Sequence, residues 1–316
     1  MIKEAILLLT SLGVLVLSGV FLVNSLNKLS KRLKISEFRA AFIIMAIATS
    51  IPELMVGISS AIEKTPIISL GNILGAGILD LTLITGILAL LNKGIKFKRE
   101  KIGDDVFFMF FSIILLIVLA LIGSSLSRTD GFFLLFLFSF NLYRVFQKKE
   151  KIKKLKKEEK IKKKKIIKDY FIFLIALGFL LLSSKYTVHY SVEIASLLNV
   201  PKEFIGLFLI SFGTVLPELI FGIDATLLKH SIMSIGNQVG TVFSNITLIL
   251  GIVAVISPIK IDIALFLIPA IFLFFAGFMF TYFQRSDKEF TIKESVILIL
   301  FYVLFTFTMI LIEKRI

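Results

Sequence analysis

No cysteine occurs anywhere in the 316 residues, which excludes disulfides and thiolate metal centres. Histidine is nearly absent: His189 and His230 both fall at the ends of apolar segments, so a histidine-built metal centre is not expected. No phosphate loop of the Gly-x-x-x-x-Gly-Lys-Ser/Thr type is present, so nucleotide-driven pumping is disfavoured, and no cofactor is expected. Formal charge is +14, yet residues 148–168 alone hold thirteen lysines against Glu150, Glu158 and Glu159, a net of +10. An excess so confined does not suggest a nucleic-acid surface. It reads as a linker kept on the cytoplasmic side of a membrane by its positive charge, where it could also meet anionic lipid headgroups.

What fills the chain instead is apolar. Hydrophobic residues make up 57% and mean hydropathy is +0.96. Apolar segments of about 20 residues, enough to cross roughly 30 Å of hydrocarbon, recur along the chain. The pattern predicts an all-α integral membrane protein of the cell membrane with ten spans, near 5–24, 38–62, 67–92, 105–124, 130–146, 169–188, 203–228, 231–256, 261–283 and 291–312. The first is not expected to be a cleavable signal, because it has a counterpart in mid-chain.

That counterpart belongs to a repeat. Residues 11–92 lie over residues 176–257 without a gap, at a constant offset of 165. ATSIPELMVGI (48–58) pairs with GTVLPELIFGI (213–223), and SLGNILGAGILDLTLITGI (69–87) with SIGNQVGTVFSNITLILGI (234–252). The organisation expected is a first repeat over 1–147, the basic linker over 148–168 and a second repeat over 169–316. Five spans per repeat is an odd number, so the second repeat must enter the membrane upside down. The loops agree: KLSKRLK (28–34) has four basic residues, where its equivalent EIASLLN (193–199) has none. KGIKFKREK (93–101) has five, where PIKIDIALF (258–266) has one. Equivalent loops with opposite charge bias lie on opposite faces, which gives two inverted five-helix repeats with both termini outside. Nothing in the sequence specifies an oligomeric state.

Polar groups recur at matched positions inside the most apolar stretches. Thr49, Pro52 and Glu53 align with Thr214, Pro217 and Glu218, Asn72 with Asn237, and Asp80 with Asn245. A proline cannot donate to the carbonyl four residues back, so carbonyls near Ala48–Thr49 and Gly213–Thr214 are released from helix bonding. Released carbonyls with a glutamate close by suit a hard cation. An ordinary kink explains one such motif more easily than two at one offset. Gly-Asn-x-x-Gly, at 71–75 and 236–240, suits close helix packing. Asp80 is not explained by packing. Placing Glu53, Glu218 and Asp80 near mid-membrane costs on the order of 8–10 kcal/mol if simply additive, which a bound cation or proton must offset. Two facing glutamates with threonine carbonyls and an amide or aspartate can furnish the six to eight oxygens calcium prefers, whereas magnesium retains its waters.

At these residues the chain resembles the calcium/cation antiporter superfamily, and within it the prokaryotic sodium/calcium exchanger branch. The family's G-T-S-L-P-E and G-N-x-x-G-S-N-x-x-N/D motifs read here as ATSIPE with GNILGAGILD, then GTVLPE with GNQVGTVFSN. The resemblance covers nearly the whole chain. It implies that Glu53 and Glu218 bind calcium, assisted by Thr49 and Thr214. Ala46 and Ser211 stand where the family offers carbonyls to sodium, and Asp80 and Asn245 would form the middle site. Ser50 and Thr241 keep hydroxyls at family positions, but their repeat partners are Val215 and Ala76. Each loss deletes a neutral oxygen that sodium could use and leaves the carboxylates intact. Asp224 has no acidic counterpart, since Ser59 stands in the first repeat, and reads as a group near the cytoplasmic end. The activity implied is exchange of calcium for sodium by alternating access, with calcium/proton antiport on the same fold as the alternative. A channel, or a structural protein indifferent to loss of the glutamates, is the remaining class.

Overall fold

A computed structural model describes residues 2–32, 46–96, 103–147, 163–227, 231–286 and 289–313. In chain order the helices are α1 (Ile2–Arg32), α2 (Ile51–Ile62), α3 (Ile67–Leu91), α4 (Gly103–Gly123), α5 (Arg128–Gln147), α6 (Lys163–Leu198) and α7 (Lys202–Leu227). They continue with α8, built from Ser231–Ser244, Asn245–Ile249 and Leu250–Ile256, then α9 (Ile263–Ser286) and α10 (Ile292–Glu313).

Among the described residues, α1, α3, α4, α6, α7, α8, α9 and α10 are long and apolar enough to cross a membrane, eight of the expected spans. The twelve-residue α2 is apolar but shorter, and residues 33–45, on which the expected span 38–62 partly rested, lie outside the described set. Arg128, Asp130, Asn141, Arg144 and Gln147 make α5 more polar than the rest. Most of the 148–168 linker is likewise outside the described residues, but its last six residues already belong to α6.

Local chemistry sets the ends of the outer helices. At the start of α5 the Asp130 carboxylate accepts from the Ser127 amide (2.8 Å) and hydroxyl (2.6 Å). The start of α10 repeats the device, Glu294 accepting from the Thr291 amide (2.7 Å) and hydroxyl (2.9 Å). Both are capping boxes, which satisfy amides that a helix start leaves unpaired.

Two short antiparallel pairings tie the chain together across its length. Ile95 is opposite Phe290, and Ser125 is opposite Lys260. Adding 165 to 95 gives 260, and adding it to 125 gives 290, so one pairing is the other with the two halves exchanged.

The most buried layer is α2, α3, α7 and α8. From Ile68 to Thr82, every α3 residue is buried. Gly71 and Gly75 allow the α3 and α7 backbones to touch: a Cβ on Gly75 would lie 2.0 Å from the Leu207 carbonyl oxygen, and one on Gly71 would lie 2.3 Å from that of Glu203. In lipid, where solvent gives helices no hydrophobic drive to associate, contact this close supplies dispersion instead. The α1 and α6 helices pack along each other, joined by a bond from Thr187 to the Ser11 hydroxyl (3.2 Å).

Candidate cation site

The helix carrying each glutamate is interrupted one residue before it resumes. Ser50 (φ −77°, ψ 2°) and Val215 (φ −83°, ψ −3°) leave the regular helical geometry at matching positions. Pro52 and Pro217 follow, unable to donate to the carbonyls of Ala48 and Gly213. This is the break that the proline spacing predicts. Past it, Glu53 and Glu218 enter the interior with no solvent exposure.

A second irregularity lies on the facing helices. Asp80–Ile84 and Asn245–Ile249 are single π-helical turns at the same offset, each opening on the polar residue. The wider turn redirects backbone bonding, and the hydroxyls of the segment compensate. Thr82 donates to the Ile78 carbonyl and Thr247 to that of Phe243 (2.6 Å), while Thr85 donates to the Asp80 carbonyl at 2.6 Å. Such turns concentrate at functional sites.

Each threonine of one half meets the asparagine of the other. Thr214 donates to Asn72 Oδ1 at 3.1 Å, and Thr49 approaches Asn237 Oδ1 at 3.5 Å. Thr214 also stands across from Glu53, and Thr49 across from Glu218, close enough to influence the carboxylates but outside hydrogen-bonding geometry. Glu53, Asp80 and Glu218 are within electrostatic reach of one another. All six of their carboxylate oxygens, both side-chain polar atoms of Asn245, and Nδ2 of Asn72 and Asn237 are buried without a hydrogen-bond partner. A buried unpaired polar group costs roughly 1–3 kcal/mol and more when charged, so a concentration of them at one level marks a place built for something else to bind.

The donor set is oxygen-rich and lacks sulfur and imidazole. Among the described residues no three Asp, Glu, His or Cys side chains gather closely enough to hold a metal by themselves. Neutral oxygens or water would therefore have to complete the shell of any cation, as hard cations allow. The Ala46 carbonyl accepts from the Ser50 amide (3.1 Å), the Ser50 hydroxyl (2.8 Å) and Thr49 (3.2 Å). The Ser211 carbonyl accepts from the Val215 amide (3.1 Å) and Thr214 (3.3 Å). Either carbonyl would have to share or release these bonds to reach an ion. Thr241 joins the cluster through its hydroxyl, 3.3 Å from that of Thr49.

Other polar groups stand apart. Asp224 is exposed near the end of α7, and its counterpart Ser59 bonds the Ser184 hydroxyl at 3.0 Å, linking α2 to α6. His189 is exposed and pairs with Glu193 at 3.4 Å, while His230 lies outside the described residues. The motif reading missed Gln238, which is fully buried on α8 with neither polar atom partnered. It sits at an unspecified position of Gly-Asn-x-x-Gly, where only its amide chemistry could have flagged it.

Comparison with known proteins shows what the whole chain is similar to. A family model described as sodium/calcium exchanger protein matches residues 3–147 and 168–311, passing over the basic linker. The Sodium/calcium exchanger MaX1 of Methanosarcina acetivorans is 28% identical over 339 aligned positions, covering 95% of this chain and 96% of that one. The Putative antiporter CaxA of Alkalimonas amylolytica is 29% identical, covering 84% of each chain. Among solved structures, an H+/Ca2+ exchanger CAX superposes with a TM-score of 0.77 at 17% identity, covering 95% of this chain and 81% of that one. The sodium-calcium exchanger NCX_Mj soaked with 10 mM Na+ and 10 mM Sr2+ gives 0.68 at 21%, covering 96% and 97%. At those identities the structures speak for the fold.

Proposed function

Because this chain belongs to the sodium/calcium exchanger protein family, we propose that it is a secondary active antiporter that exchanges calcium for sodium at the Glu53–Glu218 site. The observation that carries this reading is the set of six unpartnered carboxylate oxygens on Glu53, Asp80 and Glu218, framed by the Thr214–Asn72 and Thr49–Asn237 contacts. Calcium is the cargo, with Glu53 and Glu218 supplying charge and Thr49, Thr214, Asp80 and Asn245 supplying further oxygens. Sodium would use hydroxyls and carbonyls at Ser50, Thr241, Ala46 and Ser211. Both ions need the same carboxylates, so occupancy is mutually exclusive, and that exclusivity couples their fluxes.

The architecture in this reading is ten spans in two inverted five-helix repeats, with both termini outside and the linker cytoplasmic. The halves-exchanged β pairings, the matched π turns and the opposite loop charges support it. Alternating access would come from α1 and α6 sliding together over the site. Gly19 of α1 lies against both prolines, a Cβ there falling 2.9 Å from Pro52 Cγ and 3.1 Å from Pro217 Cγ. A glycine offers a smooth surface at the point where a moving helix crosses two kinks.

Calcium/proton exchange is the second reading, favoured by Ala76 and Val215 where hydroxyls could have served sodium. Radioactive calcium uptake into proteoliposomes separates the two. Uptake driven by internal sodium supports sodium coupling, and uptake driven only by an outward-directed proton gradient replaces it with proton coupling.

A further inference from the structure

Where the two halves pack alike, shifting residue numbers by 165 turns one contact into another, as it does for Ser125–Lys260 and Ile95–Phe290. The contacts that α1 and α6 make with other helices break this rule. Leu15 of α1 and Val188 of α6 join Val56, Ile68 and Ile210 in one apolar cluster. The counterparts of Leu15, Val56 and Ile68 are Leu180, Phe221 and Met233. Phe221 and Met233 pack together, but Leu180 lies in a different cluster, with Leu22 and Ala176. Among the described residues, the α1–α6 pair therefore covers one seat, Val56–Ile68, and leaves its counterpart, Phe221–Met233, without the matching leucine.

Two further contacts show how far the pair is displaced. Ser59 lies seven residues beyond Pro52 and Asp224 seven beyond Pro217, which at 100° per residue puts each within about 20° of its proline's face. Gly19 rests against both prolines, whereas its counterpart Ser184 rests against Ser59, hydroxyl to hydroxyl at 3.0 Å. With the halves exchanged, Ser184 would stand at the prolines and Gly19 at Asp224. Each helix then travels about 10 Å, seven residues at 1.5 Å. The α2 and α7 helices run antiparallel here, the later part of α2 packing through Val56 with Ile210 in the first part of α7, so both helices travel the same way. The seam between α1 and α6 suits such a joint movement. Thr187 bonds Ser11, and their counterparts Leu22 and Ala176 share a cluster.

The two end positions are chemically unequal. At the covered seat Ser59 and Ser184 share a hydrogen bond. At the other seat glycine has no side chain to offer, and Asp224, now exposed, would lose water from a carboxylate, which costs more than desolvating a hydroxyl. A contact made in only one of two states shifts their populations by its own free energy. We propose that Asp224 sets the balance between the two positions of the α1–α6 pair: the Ser59–Ser184 bond holds the pair on the covered seat, and the Asp224 carboxylate opposes its seating at Phe221–Met233. The inference rests on the movement of α1 and α6 in the exchange reading above and makes Asp224 a positioning residue that acts through it.

The test uses the full chain in proteoliposomes, where paired cysteines report each position. Ser59→Cys with Ser184→Cys reports the covered seat, and Leu180→Cys with Met233→Cys reports the other. Calcium-for-calcium exchange by the unmodified chain is measured alongside. Its absence sinks the exchange reading, while cross-linking still reports the movement. Under copper–phenanthroline oxidation the first pair is expected to cross-link at least ten times faster than the second. Asp224→Ser, which installs the residue of the first half, is expected to speed the second pair about tenfold, and Ser59→Ala, which removes the hydrogen bond, severalfold. Asp224→Glu keeps the charge and is expected to leave the rate as it was. If Asp224→Ser does not fold, Asp224→Asn takes its place with the same expectation. A carboxylate that only solvates the end of α7 would leave the second pair's rate unchanged in every background. That result, or no cross-linking of the second pair in any of them, would overturn the inference.

Discussion

The Thr214 hydroxyl bonds Oδ1 of Asn72 at 3.1 Å, linking the break before Glu218 to the helix that carries Asp80. Thr49 and Asn237 make the same contact at 3.5 Å with the halves exchanged. Two threonines beside the breaks that precede the glutamates are thereby tied to two asparagines, each on a helix that goes on into a π turn. Thr214→Val keeps the volume and leaves Asn72 unpaired. It is expected to lower stability by about 1–2 kcal/mol and calcium affinity severalfold. Thermal unfolding with and without calcium reads both, and Thr49→Val should show a smaller stability loss because its contact is longer.

Glu53→Gln and Glu218→Gln each replace a carboxylate by a near-isosteric neutral amide. Each is expected to lower calcium flux at least 100-fold while the protein still inserts and elutes as a single species, because the amide removes charge without opening a cavity. Flux in proteoliposomes checks the first statement, and size-exclusion chromatography the second.

Ala76→Ser with Val215→Ser places two hydroxyls in the apolar cluster of Leu79, Ile84 and Leu88. Without cations the double variant is expected to lose about 1–3 kcal/mol, the cost of burying polar groups with imperfect partners. Sodium should restore part of that loss, and the double variant should show a higher apparent sodium affinity than the unmodified chain. Unfolding curves at increasing sodium measure the gain.

Gly75→Ala puts a methyl 2.0 Å from the Leu207 carbonyl oxygen and 2.6 Å from Ser211 Oγ. Backbone cannot move aside cheaply, so a destabilisation of about 3 kcal/mol or more is expected, seen as loss of folded yield. Gly13→Ala, where nothing lies within 4 Å of the new Cβ, is the control and should behave as the unmodified chain.

Because the chain has no cysteine, single cysteines report sidedness cleanly. Lys64 and Lys93 are exposed at opposite ends of α3. With both termini outside, Lys64→Cys is expected to react with a membrane-impermeant maleimide in intact cells, and Lys93→Cys only after permeabilisation.

Much of this arrangement is legible from residues alone, for identifiable reasons. Periodic apolar length marks helices because lipid leaves the backbone no other partner, and α3, α7 and α8 fall within a residue or two of the expected spans. The breaks at Ser50 and Val215 follow from proline's missing amide. The π turns at Asp80 and Asn245 are not legible, since they differ from an α-turn by one residue of backbone bonding that tertiary packing decides. Nor is it visible in the sequence that Ala76 and Val215 share one cluster, because 139 positions separate them and only the fold brings them together. Gln238 escapes for a different reason: it lies between the motif positions that carry the signal.

In the exchange proposed above, Glu53 and Glu218 hold one calcium between them. Isothermal titration of the purified protein with calcium in sodium-free buffer tests it most directly, set beside Glu53→Gln and Glu218→Gln. One tight site per chain, lost in both variants, is the result expected. Tight calcium binding that survives in either variant would contradict it.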